Sequence, residues 1–155
     1  MPRFLILLPL LLASCVDFQN QYAPARARRP DVGPDPRGLK QAIEMKDPAS
    51  LPHFAWGIDP AAFDGEKRKA EPIAALRFHV TQTSGQKLAA DFVSAQSQMV
   101  RFKVNGRSLG EISATGAAHF EAPVEPKDFV AATATLVEIE SDAGISLLRA
   151  GFVRR

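Results

Sequence analysis

The sequence predicts an all-β domain, a single β-sandwich, over residues 42–155. Hydrophobic and polar residues alternate in several short segments, and a period of two is the pattern of a strand with one buried face. The dipeptide Asn105-Gly106 separates two such segments. Asn-Gly is the strongest short hairpin signal, because it accepts the positive φ angles of a tight turn. Turn-forming residues recur at the spacing of a sandwich, and no segment has a convincing amphipathic-helix pattern.

The predicted strands follow one another along this domain with turns between them. The inward-facing sets of the three most regular strands are Leu76, Phe78 and Val80; Val100, Phe102 and Val104; and Val137 and Ile139. The predicted strands cover residues 42–46, 74–80, 87–93, 99–104, 108–113, 117–123, 135–140 and 145–153. The predicted turns lie at Ser84-Gly85, Gly116, residues 123–126 and residues 141–144.

Residues 1–14 have the organisation of a secretory signal peptide. Arg3 supplies a positive charge, residues 4–12 form an apolar run, and small residues follow before Cys15. The apolar run is well below the roughly 20 residues that a membrane-spanning helix needs. Pro9 would also break such a helix. We therefore predict export of the chain and removal of this segment.

The end of the signal, Leu12-Ala13-Ser14-Cys15, resembles the lipobox of bacterial lipoproteins. The resemblance implies cleavage before Cys15 by the type II signal peptidase, a diacylglyceryl group on its thiol and acylation of its new amino group. More than one acyl chain is needed for stable anchoring, and a triacylated cysteine meets that condition. An ordinary secretory signal with an unmodified cysteine is the alternative. Val16, rather than aspartate, follows the cysteine, and by resemblance to enteric lipoproteins this favours the outer membrane, facing the periplasm.

Residues 15–41 are predicted to form the acylated cysteine and a flexible linker. The segment 22–38 is rich in proline and glycine and has almost no large apolar side chain to bury, so we expect it to be disordered. Proline-rich chain extends by about 3.1 Å per residue, which would hold the domain away from the bilayer. The cluster of Arg26, Arg28 and Arg29 has two interpretations, a solvated tether or a site of attraction to anionic lipid headgroups.

Composition limits the classes of function. Removal of the signal leaves about 140 residues, enough for one domain. The chain has 1 cysteine, so no internal disulfide is expected, and its formal net charge is +2. The small net charge predicts no nucleic-acid partner. The membrane is the expected partner, through the lipid anchor, and no cofactor is expected.

The order of motifs in the domain resembles the jelly-roll modules of the galactose-binding-like kind, which occur beside bacterial glycosyltransferases and in cell-surface proteins. The resemblance spans roughly residues 54–153. The matching segments are Trp56-Gly57, Leu76-Arg77-Phe78, Asp91-Phe92, the hairpin from Phe102 to Gly110, and the segment from Ser141 to Leu147. This resemblance implies a jelly-roll sandwich, and it makes glycan binding an expectation for the chain.

Six residues are candidate ligand contacts on this basis: Trp56, Asp59, Asp64, Arg77, Arg101 and Lys103. Trp56 lies in a segment that looks like a loop, residues 54–59. Its ring has two open interpretations, a platform for a sugar or a cap on the edge of the core with its N–H partnered. Arg77, Arg101 and Lys103 are expected on polar strand faces, and Asp64 begins a charged loop that continues to Lys69.

No catalytic or metal-binding pattern is apparent in the sequence. His53, His79 and His119 are far apart and lack metal-ligand spacing. Glu138 and Glu140 share one strand face and are typical of a solvated face rather than of a glycosidase pair. We therefore predict a non-enzymatic protein that binds glycan or envelope polysaccharide. The alternative is an assembly role, in which a sheet edge docks a protein partner by strand addition.

Overall fold

The computed structural model describes residues 36–130 and 133–154. The predicted signal peptide, Cys15 and most of the predicted linker lie outside these residues. The strands are β1 (Ala42–Glu44), β2 (Phe54–Phe63), β3 (Arg68–Phe78), β4 (Gln86–Val104), β5 (Arg107–Val124), β6 (Thr135–Ser141) and β7 (Ile145–Arg154). Short 3-10 turns occupy Pro36–Gly38, Pro48–His53 and Pro126–Asp128. No helix in the described part of the chain is long and apolar enough to cross a membrane.

The strands pair in the order β1-β7-β3-β6-β4-β5, with β2 added to β3 and a further pairing of β7 with β4. The long strands take part in two layers. In the first layer, β1 and β7 lie beside the first half of β4 and the second half of β5. In the second layer, β2, β3 and β6 lie beside the second half of β4 and the first half of β5. The predicted all-β sandwich is confirmed.

The passage of β4 and β5 from one layer to the other explains a difference from the predicted strand boundaries. The register between the two strands breaks between Ser94 and Gln98, and Gly116 opposite has a φ of 72°. Segments that were predicted as separate strands are therefore continuous, and the turn predicted at Gly116 is wrong: it is a bend within β5. The buried Gln98 side chain fixes the bend, donating to Ser94 Oγ at 2.7 Å and to the Gly144 carbonyl at 2.8 Å.

The hydrophobic core lies between the two layers. Five buried phenylalanines on β3, β4, β5 and β7 contribute most of its aromatic contacts: Phe78, Phe92, Phe102, Phe120 and Phe152. The rings of Phe78 and Phe152 meet edge to face at 5.7 Å, and those of Phe102 and Phe120 stack at 4.1 Å. Such pairs add about 0.5–1.5 kcal/mol beyond the burial of their area. The inward-facing sets predicted from the alternation are buried or packed against this core, as expected.

The predicted Asn-Gly hairpin joins β4 to β5. Asn105 and Gly106 have φ angles of 48° and 80°, as a type I′ turn requires. The asparagine side chain also fixes the neighbouring loop, because Nδ2 donates to the Asp128 carbonyl at 2.7 Å and Oδ1 accepts from the Leu136 amide at 2.9 Å. Asn105 therefore ties the hairpin to the start of β6.

The loop predicted over residues 54–59 is wrong, because this segment begins β2. β2 pairs with β3 in an irregular register, with breaks on both sides of Trp56 and again before Phe63. Gly57 has a φ of 68°, and a Cβ there would lie 2.2 Å from the Ile73 carbonyl oxygen. These irregularities remove the period-two alternation that would have identified the strand.

The folded part of the chain begins before the predicted boundary at residue 42. Leu39 is buried, and the Lys40 amide donates to His53 Nε2 at 3.2 Å. His53 Nδ1 in turn donates to the Arg77 carbonyl at 2.7 Å, and the Phe152 amide donates to the Gln41 carbonyl at 2.9 Å. Burial lowers the pKa of His53 below its usual range, which keeps the ring neutral for this arrangement. Residues 39–41 are thus part of the domain.

Candidate functional site

Four of the predicted contact residues lie on the outer face of the second layer, here called the polar face (Trp56, Arg77, Arg101 and Lys103). The strand register puts Trp56 opposite Ala75, Ala75 opposite Glu138, and Glu138 opposite Lys103. This row crosses four strands, so Trp56 and Lys103 are roughly 14 Å apart at the backbone. Arg77 occupies the next row, opposite Leu136.

Two cations of the polar face, Arg101 and Lys103, are engaged in ion pairs. Arg101 Nε lies 3.1 Å from Glu111 Oε2, and Lys103 Nζ donates to Glu140. All four side chains are at least partly solvated, so each pair contributes little to stability. The polar face therefore offers hydrogen-bonding groups whose charges balance within these pairs.

Trp56 is the large aromatic residue of this face. Its side chain is 44% exposed and is not part of the buried core. Ala75, its partner on β3, is fully buried, and the small side chain leaves room for a large neighbour in the same row. This exposure fits the platform interpretation better than that of a core cap. Its role in binding a ligand stays a prediction.

Asp59 and Asp64 are not in the register rows of the polar face. Asp59 Oδ1 accepts from the Ala61 amide at 2.8 Å, and Asp64 Oδ1 accepts from the Lys67 amide at 2.9 Å. Backbone hydrogen bonds lower the pKa of Asp64. Both carboxylates therefore accept local backbone hydrogen bonds, Asp59 within β2 and Asp64 in the turn that follows it, and their contact with a ligand stays a prediction.

A second surface, which the sequence did not indicate, is a groove on the outer face of the first layer. It has a volume of about 410 Å³ and is lined by β1, β4, β5 and β7. Its floor is a row of small residues in register: Ala42, Gly151 and Ala89. A Cβ at Gly151 would lie 2.3 Å from the Ala42 Cα, so only glycine lets β1 approach β7 this closely.

Beside the floor runs a row of polar and charged side chains, of which Glu44, Arg149 and His119 line the groove. The register puts Glu44 opposite Arg149, Arg149 opposite Asp91, and Asp91 opposite His119. Asp91 accepts hydrogen bonds from His119 Nδ1 and from Arg149 Nε. Burial alone would raise the pKa of Asp91, but these two hydrogen bonds outweigh it and the pKa falls below its usual range. The carboxylate is therefore ionised and fixed in orientation at neutral pH.

The two ends of the groove are also polar. At the β5 end, Glu121 accepts from Lys87 and lies 3.9 Å from His119 Nε2. The hydrogen bond from Lys87 lowers the pKa of Glu121. At the β1 end, Lys40 pairs with Asp47 at 2.9 Å. A concave site with an apolar floor and a few oriented polar groups is the usual form of a small-ligand pocket.

The sequence contained one weak signal of this groove. Ala42, Ala89 and Gly151 occupy outward positions of strands, where polar side chains are the norm. The signal was not usable, because the floor forms only when β1 lies beside β7 and β7 beside β4. The pairing of β1 with β7 joins residues about a hundred positions apart, and that of β7 with β4 needs a crossover. Patterns within a single sequence do not predict such pairings.

The described residues add no observation that favours catalysis. They contain no group of three histidine, cysteine, aspartate or glutamate side chains that could hold a metal ion. Glu138 and Glu140 lie on the polar face, and Glu140 is engaged with Lys103. The two are neighbours along one strand rather than partners across a cleft.

No family model matches the chain, and no curated protein matches it. Among solved structures, a family 6 carbohydrate-binding module is similar, with 7% identity and a TM-score of 0.48 over 76% of this chain and 95% of that one. A glycoside hydrolase family 43 arabinoxylan arabinofuranohydrolase from Bacillus subtilis is also similar, with 12% identity and a TM-score of 0.46 over 76% of this chain and 28% of that one. At this level of similarity, no ligand and no residue role is transferred from either structure.

Proposed function

We propose that this protein is a non-enzymatic, lipid-anchored envelope protein whose β-sandwich binds glycan in the groove. The observation that carries the proposal is the groove itself, with a floor of Ala42, Gly151 and Ala89 between fixed charged side chains. Its volume lies in the range of small-ligand sites, roughly 300–1,000 Å³. It runs across four strands, a length of about 14 Å, which suits an oligosaccharide rather than a single small ion.

The chemistry of the groove suits a hydroxyl-rich ligand. The Glu121 carboxylate is an ionised acceptor that the hydrogen bond from Lys87 holds in place, and Lys40 and Arg149, the latter oriented by Asp91, supply donors. Hydrogen bonds to charged groups are stronger than those between neutral groups, and each hydroxyl of a sugar both donates and accepts. The small apolar floor can pack against the C–H face of a sugar ring without blocking it.

The test uses residues 34–155, the compact unit that contains every buried core residue. Its binding to isolated sacculi and to a panel of envelope polysaccharides is measured with three variants. Ala89→Leu fills the floor of the groove. Ser113→Leu adds the same side chain to an exposed position of the second layer and is the matched control. Trp56→Ala removes the predicted platform on the polar face.

We expect saturable glycan binding that Ala89→Leu weakens by at least about tenfold and that Ser113→Leu leaves unchanged, which corresponds to about 1.4 kcal/mol. Loss in Trp56→Ala with binding retained in Ala89→Leu would move the glycan site to the polar face and refute the groove as its location. No binding by the unchanged domain to any glycan would refute the function.

The anchor is a separate part of the proposal. We infer that lipid on Cys15 holds the protein in the outer membrane, facing the periplasm. The support is the lipobox-like sequence Leu12-Ala13-Ser14-Cys15 after a short apolar run. Cys15→Ser is expected to abolish incorporation of labelled fatty acid and to release the protein from membranes. Persistent labelling of this variant would refute the anchor, and recovery of the lipidated protein with inner membranes would refute the location.

The alternative function, docking of a protein partner in an envelope assembly, is favoured by one specific observation. β5 is 18 residues long and pairs only with β4 in the described part of the chain. An open edge strand of this length is a template for strand addition. If all glycan tests fail, cross-linking in cells is the experiment that identifies such a partner.

A further inference from the structure

The free edge of β5 is the longest unpaired sheet edge among the described residues. No backbone hydrogen bond joins β5 to another described element besides β4. Half of the backbone amides and carbonyls of an edge strand point away from its neighbour, toward solvent. Proteins usually protect such edges with charged side chains, proline or bulges, since an open edge pairs with other chains.

Most of β5 carries such protection, but one segment has neither a proline nor a register break. The register with β4 is irregular near Gly110, the strand bends at Gly116, and Pro123 removes an amide near its end. Between the bend and the proline lie residues 117–122, Ala-Ala-His-Phe-Glu-Ala, without glycine, proline or lysine. This segment, here called the open edge, belongs to the first layer and borders the groove.

The open edge is complementary to itself. If a second copy pairs with it antiparallel about a two-fold axis at Phe120, His119 of each copy lies opposite Glu121 of the other. In the same register Ala118 lies opposite Ala122, so small side chains meet small side chains on the inner face. A two-fold interface requires such self-complementarity, because every contact between one residue of the first copy and another of the second occurs again with the copies exchanged. A histidine ring N–H can donate to a facing carboxylate, and polar cross-strand pairs contribute roughly 0.2–1 kcal/mol each.

We propose that residues 117–122 are the docking edge for a second copy of this chain, which joins the two first layers into one continuous sheet. His119 and Glu121 line the β5 end of the groove. The two grooves would therefore meet end to end at the two-fold axis. This consequence rests on the proposed function and predicts a preference for longer glycan chains, whereas the pairing itself does not depend on any ligand.

The experiment measures association of residues 34–155 without ligand, by sedimentation equilibrium from about 1 µM to 1 mM, since a short strand pair buries a small interface and is weak. Glu121→Lys removes the acceptor opposite His119 of the other copy. His119→Glu places two carboxylates opposite each other. The double variant His119→Glu/Glu121→Lys places opposite charges on the facing residues. Glu111→Lys makes the same charge reversal on β5 outside the open edge and is the matched control.

We expect a monomer–dimer equilibrium that each single change at the open edge weakens by about tenfold, and that the double variant restores to within about threefold. Glu111→Lys should leave it unchanged, and thermal unfolding of every variant checks that the monomer is folded. A monomer at all concentrations, a dimer insensitive to Glu121→Lys, or equal loss in Glu111→Lys would each overturn the proposal. A dimer without glycan binding would refute the proposed function alone.

Discussion

Replacement of Gly151 by alanine tests whether close approach of β1 builds the groove. Gly151 has a φ of 153°, and the new Cβ would lie 2.3 Å from the Ala42 Cα and 2.7 Å from the Gln41 carbonyl oxygen. Both neighbours are main-chain atoms and do not move aside as a flexible side chain does. We therefore expect β1 to leave β7, because displacing this short strand costs less than distorting the central sheet.

The expected loss in the free energy of unfolding follows from the side chains that β1 and the residue after it bury. Its displacement exposes Ile43, which is 6% exposed in the fold, and Met45, which is fully buried. Full burial of such a side chain is worth about 1.5–3 kcal/mol. The released segment regains conformational entropy, which offsets part of this loss. We expect a decrease of about 2–5 kcal/mol in the free energy of unfolding.

Urea unfolding of residues 34–155 measures this difference, and Gly85→Ala is the matched control. Gly85 has a φ of 68°, and nothing lies within 4 Å of the Cβ that alanine would add there. Its alanine variant should lose only the roughly 1–2 kcal/mol of left-handed backbone strain. Gly151→Ala should also lose glycan binding, because the floor of the groove is gone. Equal losses of stability in the two variants would refute the reasoning.

Three further predictions concern stability. Arg68 is buried with its guanidinium 4.4 Å from the Phe63 ring centre, so Arg68→Lys, which loses the planar stacking and hydrogen-bonding group, should cost about 1–3 kcal/mol in urea unfolding. Asn105→Gly keeps the turn but leaves the Leu136 amide without its partner, so it should cost about 1–2 kcal/mol by the same assay. Burial lowers the pKa of His53, so the unfolded chain binds a proton that the fold excludes. The free energy of unfolding is therefore unaffected by this histidine above about pH 6.5, and it falls at lower pH by at most about 1.4 kcal/mol per pH unit. His53→Gln should reduce this pH dependence.

Much of the fold was predictable because most strands bury one face and expose the other. The alternation in residues 99–104 and 135–140 identified the strands and their inward sides, and Asn105-Gly106 identified the hairpin. β2 was missed because its register breaks place residues out of alternation. The continuity of β5 was missed because Gly116 has the composition of a turn, and whether a glycine bends a strand or ends it depends on the neighbouring strand.

The candidate sites divide in the same way. Outward cations such as Arg101 were predictable from their strand, and the sheet does bring them onto one face with Trp56. The hydrogen bonds of Asp91 were not, because its partners come from β5 and β7 and meet only through pairing. A groove on the outer face of a sheet depends on which strands are neighbours, and alternation identifies the face of a strand without identifying the strands beside it.

The groove and the open edge share two residues, so the two proposals are physically coupled. His119 and Glu121 form the β5 end of the groove and also the facing pair of the proposed dimer. A change at Glu121 should therefore weaken both glycan binding and association, whereas Ala89→Leu should weaken glycan binding alone. If glycan binds across the two-fold axis, dimerisation raises the affinity for glycan. Glycan must then raise the dimer's association constant by the same factor, because the two equilibria are linked. Measuring association with and without a long glycan therefore tests whether the two surfaces form one site.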